Sequence, residues 1–502
     1  CSNIGIGLRN RPRLQRSRSG RPKYARELAE KMSKRFVSVG VVLGSIASLF
    51  WANSASAQEW LKDRRYQEGP GYRTGDLELH PGIAGELGYD SNWLLRSDKS
   101  GPNITNGAPA LPPEGAGVLR ITPSLTMSTI GSQRKEGQAQ GSGPQNVEFT
   151  AGLAATYLEF FGSETIRKQR NVSGSANARL TILPGHPWGG AVFGSYGRTI
   201  QPTVIGNPDL SFNRDDVGVG VDLAAQPNSG TLDWHLGYQF HATLFEQSQG
   251  AIFNNQSHQI DTRGRWKFRP RTALLYDASL TFRNYSDTQG VSTALHNSNP
   301  ARVRVGLNGL ITPRFSLLAM AGWAATFFKT SGADGARVQQ FDSAIAQVEA
   351  KFFPTSRGGE DLASASLLLS SIAVGYTRDY QFSYLGDYYG TDRGYARIAY
   401  FFAGRALLSL EGGVAAIEYP TVYFVDGTKS NDPFTDIRAD ATLFAEYRVL
   451  QTVGINTTLR YTENFSSTQL PTASAAAPGQ ENLRYDMSWR RFEAFLGVRW
   501  FM

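Results

Sequence analysis

Six cationic side chains, Arg263, Arg265, Lys267, Arg283, Arg302 and Arg304, fall at same-parity positions within three neighbouring segments. In extended chain alternate residues share a face, so these six would stand together on one polar surface. Asp233, Asp261 and Asp277 join that surface by the same parity, with His235 beside Asp233. Two kinds of chemistry are open to it. A net basic stripe attracts an anionic solute, whereas cross-strand ion pairs stiffen a sheet and leave little free charge. Spacing alone decides neither.

Covalent chemistry has no foothold in the motifs. The sequence has no phosphate-cradling Gly-x-x-x-x-Gly-Lys loop, no His-Glu-x-x-His and no Gly-x-Ser-x-Gly. Its one cysteine, Cys1, precedes every other feature, so thiolate nucleophiles and thiolate metal sites are absent from the rest of the chain. The run His296-Asn297-Ser298-Asn299 holds hydrolase-type residues, but no acidic partner lies nearby in sequence, and it reads as a solvated turn. Neither a catalytic residue, a cofactor nor a metal is expected.

The elements that must carry the charged face are strands. Leu232, Trp234, Leu236, Tyr238 and Phe240 alternate with Asp233, His235, Gly237, Gln239 and His241. Ile437, Ala439, Ala441, Leu443, Ala445, Tyr447 and Val449 alternate likewise with Arg438, Asp440, Thr442, Glu446 and Arg448. This period of two recurs in eighteen segments between residues 77 and 501, with no apolar stretch of helix-spanning length after residue 57. The connections separate a membrane barrel from a soluble sandwich. Short ones (184–187, 226–230, 269–271, 312–314, 403–405, 450–451) alternate with long polar ones (201–211, 246–255, 286–300, 329–340, 420–434, 466–487). Short turns at one end and long loops at the other are the outer-membrane pattern. Stretches 130–146 and 355–366 are longer than that pattern wants.

Aromatic residues follow the same division. Phe268, Phe352, Phe353, Phe401 and Phe402 adjoin short turns, whereas Tyr285, Trp323, Phe327, Phe328, Tyr380, Tyr419, Tyr461 and Phe465 adjoin long loops. They predict two interfacial girdles. The fold expected is therefore all-β, a transmembrane outer-membrane barrel of about 18 antiparallel strands over residues 77–502. Residues 58–76 form a short periplasmic segment, too short for a plug domain. A barrel of this size encloses an aqueous channel, open or closed only by folded-in loops.

Charge and leader fit that destination. The chain of 502 residues carries a formal +8, yet residues 1–57 hold eleven Lys or Arg against two Glu, which leaves −1 for the remainder. The basic balance thus gives no reason to expect nucleic acid as a partner. Lys34 and Arg35, the apolar run 36–52 and Ala55-Ser56-Ala57 predict a signal peptide over 32–57, cleaved before Gln58. Residues 1–31 form an upstream basic segment expected to be absent from the mature protein.

Two segments resemble known outer-membrane proteins. Phe492, Ala494, Leu496, Val498 and Trp500, alternating with Arg491, Glu493 and Arg499, resemble the terminal strand that barrel-assembly machinery recognises, although Met502 follows instead of a final aromatic. Residues 75–92, from Gly75-Asp76-Leu77 through His80-Pro81 to Tyr89-Asp90-Ser91-Asn92, resemble the opening of a Gram-negative outer-membrane β-barrel family associated with exopolysaccharide export. The resemblance covers under a twentieth of the chain after the leader. It implies a channel that translocates a secreted polysaccharide together with a periplasmic polysaccharide-export protein, and the cationic stripe would suit an anionic polysaccharide. A general or sugar-selective uptake porin and a surface adhesin or receptor barrel remain as alternatives. In each case outer-membrane lipid and lipopolysaccharide surround the wall.

Overall fold

The computed structural model describes residues 71–98, 112–129, 146–201, 212–286, 295–328, 340–354, 370–384, 387–402, 405–423, 429–471 and 484–502. Residues 1–57, which include the signal peptide expected over 32–57, lie outside them, as do 130–145 and 355–366. Eighteen long strands make the wall. They are β1 (Leu77–Asp90), β2 (Ala116–Thr129), β3 (Val147–Phe161), β4 (Asn171–Ile182), β5 (Trp188–Thr199) and β6 (Arg214–Ala225). Then come β7 (Leu232–Phe245), β8 (Asn255–Arg269), β9 (Thr272–Tyr285), β10 (Ser298–Thr312), β11 (Phe315–Phe328) and β12 (Asp342–Phe352). The last six are β13 (Ser371–Phe382), β14 (Tyr388–Phe402), β15 (Ala406–Tyr419), β16 (Phe434–Arg448), β17 (Val453–Phe465) and β18 (Trp489–Phe501).

Each strand pairs antiparallel with its neighbours in sequence, and the register from Gly82↔Phe501 to Asp90↔Glu493 joins β1 to β18. The sheet therefore closes, which satisfies every strand edge inside a bilayer. Strand β6 shows why this sequence builds such a wall. Val219, Val221 and Leu223 point outward and are about half exposed, while Asp216 and Asp222 point inward. β-Branched residues pack well on a pleated sheet, and the alternation assigns one face to lipid and one to water. Trp234, Leu236 and Leu443 lie on the outward face; Leu443 is nonetheless covered, standing between Leu410 and Leu459 of the flanking strands. At the short turns, Gly185 and Gly230 take φ of +76° and +78°, a conformation that side chains with a Cβ resist.

The girdles differ from the sequence expectation. Trp188, Trp266, Phe268, Phe352 and Trp500 face outward near the short turns, and Tyr89, Phe161, Trp323, Phe327 and Phe492 do so near the long loops. Tyr285, Phe328, Tyr380 and Tyr419, expected in the second girdle, are buried on the inner side instead. Proximity to a loop fixes height along the barrel but not the face.

Candidate functional site: the pore lumen

The charged inner wall begins with β4, β6, β7 and β8. Asp222, itself buried, accepts hydrogen bonds from Arg179 at 3.3 Å and Arg263 at 3.0 Å, and meets His235 Nδ1 at 3.1 Å. The other ring nitrogen of His235 lies 2.9 Å from Asp233, which also accepts from Arg265 at 2.9 Å and from Gln226 at 3.2 Å. One step further round, Arg304 donates to Asp277 at 3.0 Å. Asp261 lies 3.9 Å from Arg263. Four of the six stripe cations thus have carboxylate partners, Arg302 being the fourth through Asp379. Half-exposed pairs of this kind contribute only about 0–1 kcal/mol each; their effect is to leave the wall with little free positive charge.

The remaining two cations are placed differently. Lys267 sits near a short turn with no carboxylate in ion-pair range among the described residues. Arg283 lies toward the long-loop end of β9, its guanidinium 3.7 Å above the ring centroid of Phe382. Asp222 was absent from the sequence-derived set although β6 carries the same parity signal. Its neighbours Val221 and Leu223 point out, so it must point in.

Phe382 reaches Arg283 because the β13–β14 hairpin leaves the wall. Pairing between β12 and β13 runs only from Phe352↔Ile372 to Ala346↔Arg378, while β13 and β14 stay paired as far as Phe382↔Tyr388. The unpaired end turns inward. Tyr380 packs on Ala324 and Ile345 and stacks on Phe341 with centroids 4.4 Å apart. Asp379 accepts from Arg302 at 2.8 Å, and Tyr384 reaches Phe212, Phe245 and Phe253 with centroids 6.4, 5.4 and 5.2 Å away. Since Phe245 ends β7, six strands from β13, the hairpin reaches inward across about a third of the eighteen-stranded ring. It forms an inward collar of aromatic rings and arginines.

The His296 run is tied into the same structure, which corrects the reading of it as a solvated turn without an acid. His296 meets Asp387 through its backbone N–H at 2.8 Å and through Nδ1 at 3.0 Å, across 91 residues. Asn297 Oδ1 accepts from the Tyr285 backbone at 2.7 Å. Among the described residues Ser298 Oγ is buried without a hydrogen-bond partner. The cluster fastens a loop to the hairpin. Among the described residues no group of His, Cys, Asp and Glu is arranged to hold a metal.

A second charged half-ring lies on β12 to β16. Arg393 donates to Asp440 at 2.8 Å and Arg397 to Glu411 at 2.9 Å. The Tyr395 hydroxyl donates to Glu349 at 2.8 Å, its ring lying flat against Gly375 on the adjacent strand. Near β1, Trp93, Leu94 and Ile166 from two loops pack on the inward residues Val118, Leu158, Phe160 and Phe495. Loops therefore fold in at two places around the mouth.

No family model and no curated protein matches the chain. Among solved structures it is similar to OccK5 (OpdH) of Pseudomonas aeruginosa, with 10% identity over 84% of this chain and 98% of that one and a TM-score of 0.39. It is also similar to the FrpB iron transporter of Neisseria meningitidis, with 8% identity, coverages of 86% and 82% and a TM-score of 0.45. A bacterial polysaccharide outer membrane secretin aligns with 10% identity, coverages of 85% and 99% and a TM-score of 0.30. At these values the likenesses carry no argument about solute or mechanism. The chain's own geometry does carry one: a closed eighteen-stranded barrel, apolar outside and polar within, makes it an outer-membrane channel protein.

Proposed function

We propose that this channel is the outlet through which a secreted polysaccharide reaches the cell surface, with a periplasmic export protein delivering the chain to its short-turn end. The collar is the observation that carries the reading. Tyr380, Phe382, Arg283 and Arg302 set aromatic rings and fixed hydrogen-bond donors on one inner surface, next to the amides of Gln239 and Gln259. Sugar rings present apolar C–H faces and polar rims, so this combination suits them better than it suits a simple ion. The resemblance of residues 75–92 to an exopolysaccharide-associated family supports the same reading. A single glycan strand is thin against a lumen roughly 35 Å across between opposite backbones.

The ion pairing supports a polymer that need not be strongly acidic, since four of the six stripe cations already have partners. The inward hairpin favours a second reading, a sugar-selective uptake porin, because a constricted mouth suits small solutes. Deleting the gene and measuring surface polysaccharide separates the two. Loss of surface polymer with periplasmic accumulation, restored by the intact gene, is the expected result. Unchanged surface polymer with slowed entry of a small sugar would overturn export in favour of uptake.

A further inference from the structure

Between the wall and the inward hairpin lies a cavity of about 260 Å³. Its floor is the inner face of β7 to β10, represented by Gln239, Gln259, Arg283 and Arg302, and its roof is Tyr380 and Phe382. The volume falls just below the ~300–1,000 Å³ of pockets for drug-sized ligands, so it suits one pyranose-sized unit. No carboxylate lines it. Asp379 holds Arg302 through one nitrogen, at 2.8 Å. Arg283, by contrast, has no carboxylate in ion-pair range among the described residues, and its Nε is buried without a hydrogen-bond partner.

A guanidinium stacked on an aromatic face keeps its in-plane N–H groups free, and those groups match a carboxylate two by two. Stacking on Phe382 holds Arg283 in this way; the Tyr285 hydroxyl engages one of its N–H groups, and the amide and hydroxyl side chains of the floor surround the rest. We infer that this cavity is a binding subsite for a hexuronate unit, a sugar ring bearing a carboxylate, with Arg283 receiving the carboxylate and the collar rings covering the sugar. The inference rests on the reading of the lumen as a glycan path and names the unit that the path recognises. Its acidity requirement is local. One uronate per repeat would satisfy Arg283, whereas the ion-paired stripe asks for none.

The test uses the full-length channel in planar bilayers, with glucuronate, glucose and acetate as probes. Glucuronate should block conductance at concentrations where glucose and acetate do not. Arg283→Gln should weaken that block about 10- to 100-fold, as expected for a lost charge-assisted hydrogen bond. Ser279→Leu, which fills the floor, should weaken it comparably and decides the matter if Arg283→Gln fails to insert. Arg265→Gln, outside the cavity, should leave it intact. Equal block by acetate, or block unchanged in both cavity variants, would overturn the subsite. The two readings fail separately. Loss of the subsite with surface polymer still dependent on the gene removes this inference alone, and specific block with surface polymer independent of the gene removes export alone.

Discussion

Asp379 and Arg302 are 77 residues apart in sequence and 2.8 Å apart in space, and the bond between them joins the inward hairpin to the inner wall three strands away. Both side chains are about one-third exposed, so the pair adds at most about 1 kcal/mol. The aromatic contacts of Tyr380 and Tyr384 hold the hairpin more firmly. Asp379→Asn should therefore raise open-channel noise while changing mean conductance little. Replacing Tyr380 and Tyr384 together by Ala should raise single-channel conductance with no loss of barrel in the membrane. Unchanged conductance in the double variant would show that the hairpin does not set the constriction.

Asp222 accepts from two arginines and faces His235, so its removal leaves several donors without their common acceptor. Asp222→Asn should cost about 1–3 kcal/mol, more than Asp277→Asn, whose carboxylate has Arg304 as its one cationic partner among the described residues. Thermal unfolding in detergent measures the difference. The same variant should increase anion preference in reversal-potential recordings, because Arg179 and Arg263 lose their compensating charge.

The two faces of the wall should respond oppositely to charge. Leu496 points to lipid near the middle of β18, and Thr458 of β17 points to the lumen. Leu496→Arg should cost roughly 2–4 kcal/mol and lower folded yield, whereas Thr458→Arg should be tolerated. Heat-modifiable migration on gels reads the folded fraction directly.

Gly375 should resist the smallest substitution. A Cβ there would overlap the Tyr395 ring, which lies across this position and carries its hydroxyl to Glu349. Gly375→Ala should cost about 1–3 kcal/mol through overpacking. Combining it with Tyr395→Ser should recover most of the loss, and non-recovery would show that the ring is not the obstacle.

Much of the wall was legible because a strand with lipid on one side and water on the other has to alternate. All eighteen strands stand where the alternation puts them, and Asp222 could have been found by extending the same count one strand back. The collar was not legible. Tyr380 shares parity with Val374 and Tyr376, which face lipid, yet it is buried inside because the hairpin parts from β12 after Arg378. Departure from a wall leaves no periodic trace. His296 and Asp387 meet through two loops, where neither spacing nor pattern relates one residue to the other.

The pairing of β1 with β18 has a consequence for how the molecule is made. Every other neighbour in the wall is adjacent in sequence and can zip as a hairpin, but this seam joins Gly82 to Phe501. Until the final strand is in place, both flanks of the sheet present unmet N–H and C=O groups, which hydrocarbon cannot satisfy. Assembly must therefore be a late, all-or-nothing stitch: a chain shortened by its last strand keeps most of its hairpins and still lacks a stable home in the bilayer.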